Sequence, residues 1–221
     1  MDVMQFKIEG DVAIMRFDDG KANAIGHAFV DAMNEGLDRA EKEAKAVLII
    51  GRPGRFSAGF DLSEFKKGPE ASQALLKKGS EMFLRMYGHP QPLVAACTGH
   101  AIAAGAFLLL SCDTRIGTLG DFKLGLNETA IGMNFPVFGH ELASSRISKR
   151  HLTAVLVQST MYNPGSAMDA GFLDEAVAPE ELEKRSLEVA SQLALLPGAA
   201  YAKNKLDTRA ISLQKIRESI Q

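Results

Sequence analysis

Three short segments hold the residue types that could do chemistry. The first, Gly54-Arg55-Phe56-Ser57-Ala58-Gly59-Phe60-Asp61-Leu62, is built of small residues around Gly59 and follows an apolar run. A loop of that kind lets backbone approach a ligand closely, and leaves the amide of Phe60 free to face an oxyanion. The same residues also suit an ordinary strand-to-helix turn with Asp61 as the cap. The second, Gly99-His100-Ala101-Ile102-Ala103-Ala104-Gly105-Ala106, opens a long apolar stretch. Ala104 falls at the expected helix N-terminus, where unpaired amides and the positive dipole end favour negative charge on oxygen. Close helix packing is the competing use of these small residues. The third, Gly125-Leu126-Asn127-Glu128-Thr129-Ala130-Ile131-Gly132, carries one carboxylate, Glu128, between apolar neighbours. Burial would raise its pKa and make it a better base near neutral pH. A helical turn capped by Asn127 would lower it, and a solvated glutamate at a helix start fits the same residues. Two amide donors and one base suit moving a proton beside a carbonyl; they suit addition of water less well.

These segments need a frame. Val3–Glu9 and Val12–Phe17, separated by Gly10-Asp11, read as a β-hairpin, and Asp18-Asp19-Gly20 turns the chain. His27–Glu43 carries Phe29, Val30, Met33, Leu37 and Ala40 at helical spacing. Ala46–Ile50 and Leu93–Thr98 are continuous apolar runs, expected as buried strands. Arg52–Phe60 is expected as a loop, and Ser72–Tyr87 as a helix ended by Gly88 and Pro90. Ala103–Ser111 is apolar on every face and reads as a buried helix. Thr114–Gly117 and Phe122–Leu124 read as short strands and Glu175–Ala178 as an extended piece. Val137–Ile147, His151–Gln158, Glu180–Leu195 and Ala199–Ser219 read as helices. Strand, strand, helix repeats and then helices only, which predicts an α/β core over 1–136 and a helical C-terminal region over 137–221. The junction is expected near Asn134–Gly139, where Pro136 and Gly139 punctuate the chain.

Composition narrows the classes. A net charge of -2 argues against a nucleic-acid surface. The apolar stretches Leu93–Cys97 and Ala101–Leu110 are interrupted by Gly99 and His100, so neither reaches the roughly 20 residues of a membrane span. Met1–Glu9 has no secretory pattern. Cys97 and Cys112 sit in apolar runs, as buried free thiols of a reducing compartment would. A soluble, cytoplasmic protein is the expectation, with an organelle matrix the alternative if a targeting segment was removed. The histidines show no metal-ligand spacing, so no metal is expected.

The three segments occur together and in order, and in that combination the chain resembles the crotonase superfamily, also called the enoyl-CoA hydratase/isomerase family. The resemblance runs from about Gly10 to Lys205. Phe-Ser-Ala-Gly-Phe-Asp-Leu looks like the family's first oxyanion-hole loop, and the run from Thr98-Gly99-His100-Ala101 to Cys112-Asp113 looks like its second. The resemblance implies a crotonase-like spiral of repeated strand–strand–helix units, α/β in class, with a helical C-terminal region. It implies a homotrimer or dimer of trimers assembled through that region. It assigns the two oxyanion donors to the amides of Phe60 and Ala104, although many relatives carry Gly at the second position. The family's two hydratase glutamates map to Phe107 and Glu128, so one is lost and one kept. Hydratases of this kind hold one water between both carboxylates; Phe107 would offer that water an apolar wall.

Family members that shift a double bond need one base. Gly125-Leu126-Asn127-Glu128-Thr129 followed by Ile131-Gly132 is similar to the mitochondrial-type 3,2-trans-enoyl-CoA isomerases, which also carry an apolar residue at the Phe107 position. The implied activity is conversion of 3-enoyl-CoA to 2-trans-enoyl-CoA in fatty-acid breakdown. Glu128 would take a proton from C2 and return it to C4. The implied partner is an acyl-CoA thioester substrate, with neither nucleic acid nor membrane, and coenzyme A enters only as part of that substrate. Substrate contacts are implied at Lys21, Ala22, Ser57, Ala58, Gly59, Asp61, Leu62, Phe107 and Lys205. A surface lysine reads Lys21 equally well, and Lys203 rivals Lys205 as the phosphate contact. Asp113 is expected to support a turn. Met133, Phe135 and Phe138 line an acyl pocket or pack the core. The alternatives are a hydratase, decarboxylase or thioesterase of the same superfamily, or a non-catalytic acyl-CoA-binding paralogue. Phe107 and Ala104, as signs of an eroded site, favour the last.

Overall fold

The computed structural model describes residues 3–220; Met1, Asp2 and Gln221, the outermost positions of the two expected regions, lie outside the described residues. The chain opens with β1 (Met4–Glu9) and β2 (Val12–Phe17), an antiparallel pair in register from Met4 opposite Phe17 to Glu9 opposite Val12. Gly10 turns this hairpin at φ +57°, a conformation that glycine adopts without a Cβ clash. β3 (Ala46–Ile50), β5 (Leu93–Cys97), β7 (Thr114–Thr118) and β9 (Glu175–Val177) then add in parallel, giving a six-stranded sheet in the order β1-β2-β3-β5-β7-β9.

The apolar runs of β3 and β5 follow from burial on both faces. Val47 and Ile49 point into the main core, while Ala46, Leu48 and Ile50 meet α8 (Leu182–Ala194) through Leu182, Ala190 and Ala194. The main core also takes α1 (His27–Glu43), which buries Phe29, Val30, Met33, Leu37 and Ala40, the face its spacing predicts.

A second sheet holds β4 (Gly54–Ser57), β6 (Gly99–Ile102) and β8 (Leu124–Gly125), all parallel. The repeat is therefore a spiral. After the β1–β2 hairpin, which lies wholly in the large sheet, each turn sends its first strand to the large sheet and its second to the small one. Helices follow: α2 (Leu62–Phe65) and α3 (Pro69–Tyr87) after β4, and α4 (Ala104–Ser111) after β6.

Two expectations change here. Arg52–Phe60 is not all loop, because β4 lies inside it, and Gly99–Ile102 is a strand before the helix begins. Strands this short have no period of their own and exist through their partner. Gly99 lies against Gly54 so closely that a Cβ on it would stand 2.1 Å from the Gly54 carbonyl carbon. α3 also starts earlier than Ser72, at Pro69, a favoured first helical residue.

The C-terminal region carries α5 (Val137–Arg146), α6 (Leu152–Leu156), α7 (Pro164–Ala170), α8 and α9 (Gly198–Ile220). α7, absent from the sequence reading, begins with Asn163 accepting from Ser166 N and Pro164 in the first turn, a readable start signal. The 136/137 division is not a break in packing. β9 pairs with β7, and α8 covers one face of the large sheet. Among the described residues no helix is long and apolar enough to cross a membrane.

Candidate active site

The loop after β4 is fastened to the segment before α1. Ala58 N donates to Ala22 O at 3.0 Å, Ile25 N to Gly59 O at 2.8 Å, and Asp61 N to Ile25 O at 3.1 Å. Phe60 thus sits in a parallel bridge in which its neighbours make the hydrogen bonds. Its own amide faces the opposite side and has no acceptor among the described residues. Gly59 makes the turn at φ +97°. Ser57 is buried; its Oγ donates to Asn23 O at 2.7 Å and accepts from Gly59 N at 3.2 Å.

Asn23, which no sequence motif marks, anchors this loop. It is fully buried at φ +48°, and its Nδ2 donates to Phe17 O and Phe56 O. Asparagine tolerates that backbone region better than most residues, which is the one local signal available. The Asp19 carboxylate braces the same loop by accepting from Lys21, Asn23 and Ala24 amides. Burial pushes its pKa up, but those amides and Arg52 outweigh it and hold it below the usual range. Lys21 is exposed, Ala22 half-buried, and Ala58 and Leu62 exposed. Asp61 caps α2 by accepting from Ser63 N at 2.9 Å. The capping use of Asp61 and the unpaired amide of Phe60 therefore coexist.

α4 starts against this loop. Ala103 caps it at φ 53°, ψ −124°, a strained backbone for alanine. Its N–H donates to Gly125 O at 3.0 Å, and its carbonyl accepts from Ala106 N and Phe107 N. The next amide, Ala104 N, has no acceptor among the described residues. Two glycines allow the approach. A Cβ on Gly59 would stand 3.3 Å from Ala104 N, and one on Gly105 would stand 2.2 Å from Ser57 O. The unpaired amides of Phe60 and Ala104 thus meet at one loop–helix contact.

The carboxylate arrives through β8. Gly125, which accepts the Ala103 amide, pairs with Ile102, and Glu128 follows three residues later. Thr129 Oγ1 donates to Leu156 O at 3.0 Å and Ala130 N to Ser159 Oγ at 3.0 Å, pinning the turn that Glu128 opens. The Glu128 side chain is 7% exposed, and its Oε2 is buried without a hydrogen-bond partner. Burial pushes its pKa up to about 7. Asn127 does not cap the turn; Glu128 itself stands at its N-cap, and its own backbone amide pulls the pKa down less than burial pushes it up. A buried, unpaired carboxylate is costly to folding and marks a candidate for proton transfer.

Phe107 lies in the core. It is 1% exposed and stands edge-on to Phe83 at 6.3 Å, Phe138 at 5.3 Å and Phe135 at 6.3 Å. Its ring rests on Gly139, where a Cβ would come within 2.7 Å of it. Phe60 joins the same cluster through Phe83 and rests on Gly79. Phe138 is buried and Phe135 half-buried, while Met133 is exposed.

Lys205 departs from its expected role. It is buried, and its three donors go to His89 O at 2.8 Å, Gln91 O at 2.8 Å and Asp113 Oδ2 at 2.5 Å. No donor remains for a phosphate. Its rival Lys203 is exposed and paired with Asp207. Asp113 does more than support a turn, since it also accepts from Arg209 and Tyr201. Among the described residues no group of three or more His, Cys, Asp and Glu side chains could hold a metal ion.

Comparison with known proteins identifies the family. The family model described as enoyl-CoA hydratase/isomerase matches residues 7–219. The human "Enoyl-CoA delta isomerase 1, mitochondrial" is 28% identical over 212 residues, covering 93% of this chain and 70% of that protein. A Bacillus subtilis protein named "Probable enoyl-CoA hydratase" is 32% identical over 137 residues, 60% of this chain and 53% of its own length. The crystal structure of an enoyl-CoA hydratase/isomerase family protein from Pseudomonas syringae superposes with a TM-score of 0.96 at 41% identity, covering 99% of this chain and 95% of that one.

Proposed function

This chain belongs to the enoyl-CoA hydratase/isomerase family, and on that footing we propose that it shifts the double bond of a 3-enoyl-CoA to give the 2-trans-enoyl-CoA. The observation that carries the reading is a single buried carboxylate in the reactive segments, Glu128, with its pKa raised to about 7, while Phe107, at the position the resemblance assigns to a second glutamate, is locked into an aromatic cluster. Relatives carry both names, isomerase and hydratase. The lone carboxylate favours the first.

In this reading the thioester carbonyl oxygen accepts from the amides of Phe60 and Ala104. The Glu128 carboxylate removes a proton from C2, and the electrons move into a dienolate whose oxygen the two amides stabilise. The neutral acid then delivers the same proton to C4, so the reaction consumes nothing. A base with a pKa near working pH is strong enough to take that proton and weak enough to return it. Addition of water would need a second polar group to hold the nucleophile, and the Phe107 ring offers none. The exposed Lys21 is a basic side chain on the segment fastened to this loop, and in this reading it meets the CoA portion.

The test is turnover of 3-trans- and 3-cis-hexenoyl-CoA against hydration of crotonyl-CoA, for wild type and Glu128→Gln. Isomerisation that falls by about 10²–10⁴-fold in the variant supports the reading. Hydration exceeding isomerisation in the wild type would overturn it, and tight CoA binding with no turnover would point to the binding paralogue.

A further inference from the structure

Outside the candidate active site, α5 and α9 enclose a cavity of about 600 Å³ with the start of β7 and the end of α3. Its charged lining is unbalanced. Arg146, Lys205 and Arg209 face one carboxylate, Asp113. That carboxylate is already saturated. Oδ1 accepts from Arg209 Nη2 at 2.7 Å, and Oδ2 from Lys205 Nζ, Tyr201 Oη and Leu93 N. Burial pushes the Asp113 pKa up, but Lys205 and Arg209 outweigh it and keep the group ionised.

Arg146 is the cation left over. Its Nε donates to Leu110 O and its Nη2 to Cys112 O, both neutral, and it comes no nearer than 4.0 Å to Asp113. Nη1 makes no hydrogen bond among the described residues and is not buried without contact to solvent. Burial, then repulsion from Arg209 and Arg115, drops the Arg146 pKa to about 10. Three cations less one carboxylate leave a charge of +2 in a recess, an arrangement that is expensive unless an anion completes it. Hydroxyls of Ser145 and Thr208 border the same space.

We propose that this cavity binds a small oxyanion, a phosphate or carboxylate group held by Arg146 with Arg209 beside it. The planar guanidinium offers paired donors that match either group. The site is independent of the candidate active site and of the reaction assigned to it.

The test follows the melting midpoint of the full chain during titration with sodium phosphate, at constant ionic strength set by chloride. Saturating coenzyme A is present, so that phosphate cannot act through the substrate site. A rise that saturates by about 10 mM is expected from binding to the folded state. A rise that stays linear with concentration is general salt exclusion and overturns the proposal, as does no rise with either phosphate or acetate. Acetate acting where phosphate does not assigns the carboxylate form. Arg146→Gln should abolish the saturable rise. Should that variant not fold, Thr208→Glu supplies a tethered carboxylate at the same cavity. It should melt higher than wild type in anion-free buffer and lose the phosphate response; a response equal to wild type overturns the proposal.

Discussion

Glu128 is a buried carboxylate whose Oε2 has no hydrogen-bond partner, and its pH behaviour follows from burial outweighing the pull of its own backbone amide. Its folded pKa of about 7 lies above the ordinary 4.5. Between those values the folded state binds the proton that the unfolded chain has released. The stability gained from the neutral group is therefore full below pH 4.5 and lost as pH rises through about 7. Glu128→Gln should consequently be more stable than wild type at pH 8.5, by roughly 1–3 kcal/mol in urea unfolding, and show little gain at pH 4.5. The rate should run the other way. Isomerase kcat/KM should climb as pH rises through about 7, because the base must be ionised to work. At Phe107 the opposite chemistry applies. Phe107→Glu would place a carboxyl among Phe83, Phe135 and Phe138. It should cost several kcal/mol of stability without producing crotonyl-CoA hydration, as urea midpoints and a hydration assay would show.

At the scale of elements, the site depends on one contact, between the start of α4 and the loop after β4. The Phe60 amide is turned outward by the bridge to Ile25, and the Ala104 amide is freed by the cap at Ala103. Neither orientation is a property of the side chain. Gly105 lets the two pieces touch, since a Cβ there would stand 2.2 Å from Ser57 O. Gly105→Ala should push the helix start off the loop by a fraction of an ångström to an ångström. The expected result is a kcat reduced roughly 100-fold with KM for the CoA substrate much less changed, measured by steady-state isomerase kinetics on folded protein.

For the molecule as a whole, Asp113 joins the spiral to the C-terminal helix. It holds Leu93 of β5 on one side and Tyr201, Lys205 and Arg209 of α9 on the other. Asp113→Asn leaves buried cations without their counter-charge and should cost about 3–5 kcal/mol. The sign with pH is that of a depressed carboxylate. The stability it supplies is present above its ordinary 3.8 and is lost as pH falls through the lower folded value. Urea titrations at pH 7 and pH 3 should therefore show a smaller penalty for the variant in acid. β9 and α8 tie the same two regions through the large sheet, so unfolding by urea should be a single transition.

The sequence by itself determined the long elements and singled out the candidate reactive groups. α1 and α9 announce themselves by an apolar period or by length, and β3 and β5 by unbroken apolar runs, because burial leaves its pattern in the residues that are buried. The order of the three segments, and the apolar Phe107 where the resemblance implies a second glutamate, were equally legible. Tertiary structure decided what depends on partners. β4, β6 and β8 are two to four residues long and exist only as a sheet. The direction of the Phe60 amide is set by Ile25, a residue thirty-five positions earlier. Lys205 carries the charge a phosphate would want but spends its donors on His89, Gln91 and Asp113, all distant in the chain. The proton affinity of Glu128, which the sequence left between burial and a helix dipole, follows from packing that buries the carboxylate, since a pKa belongs to the surroundings as much as to the group.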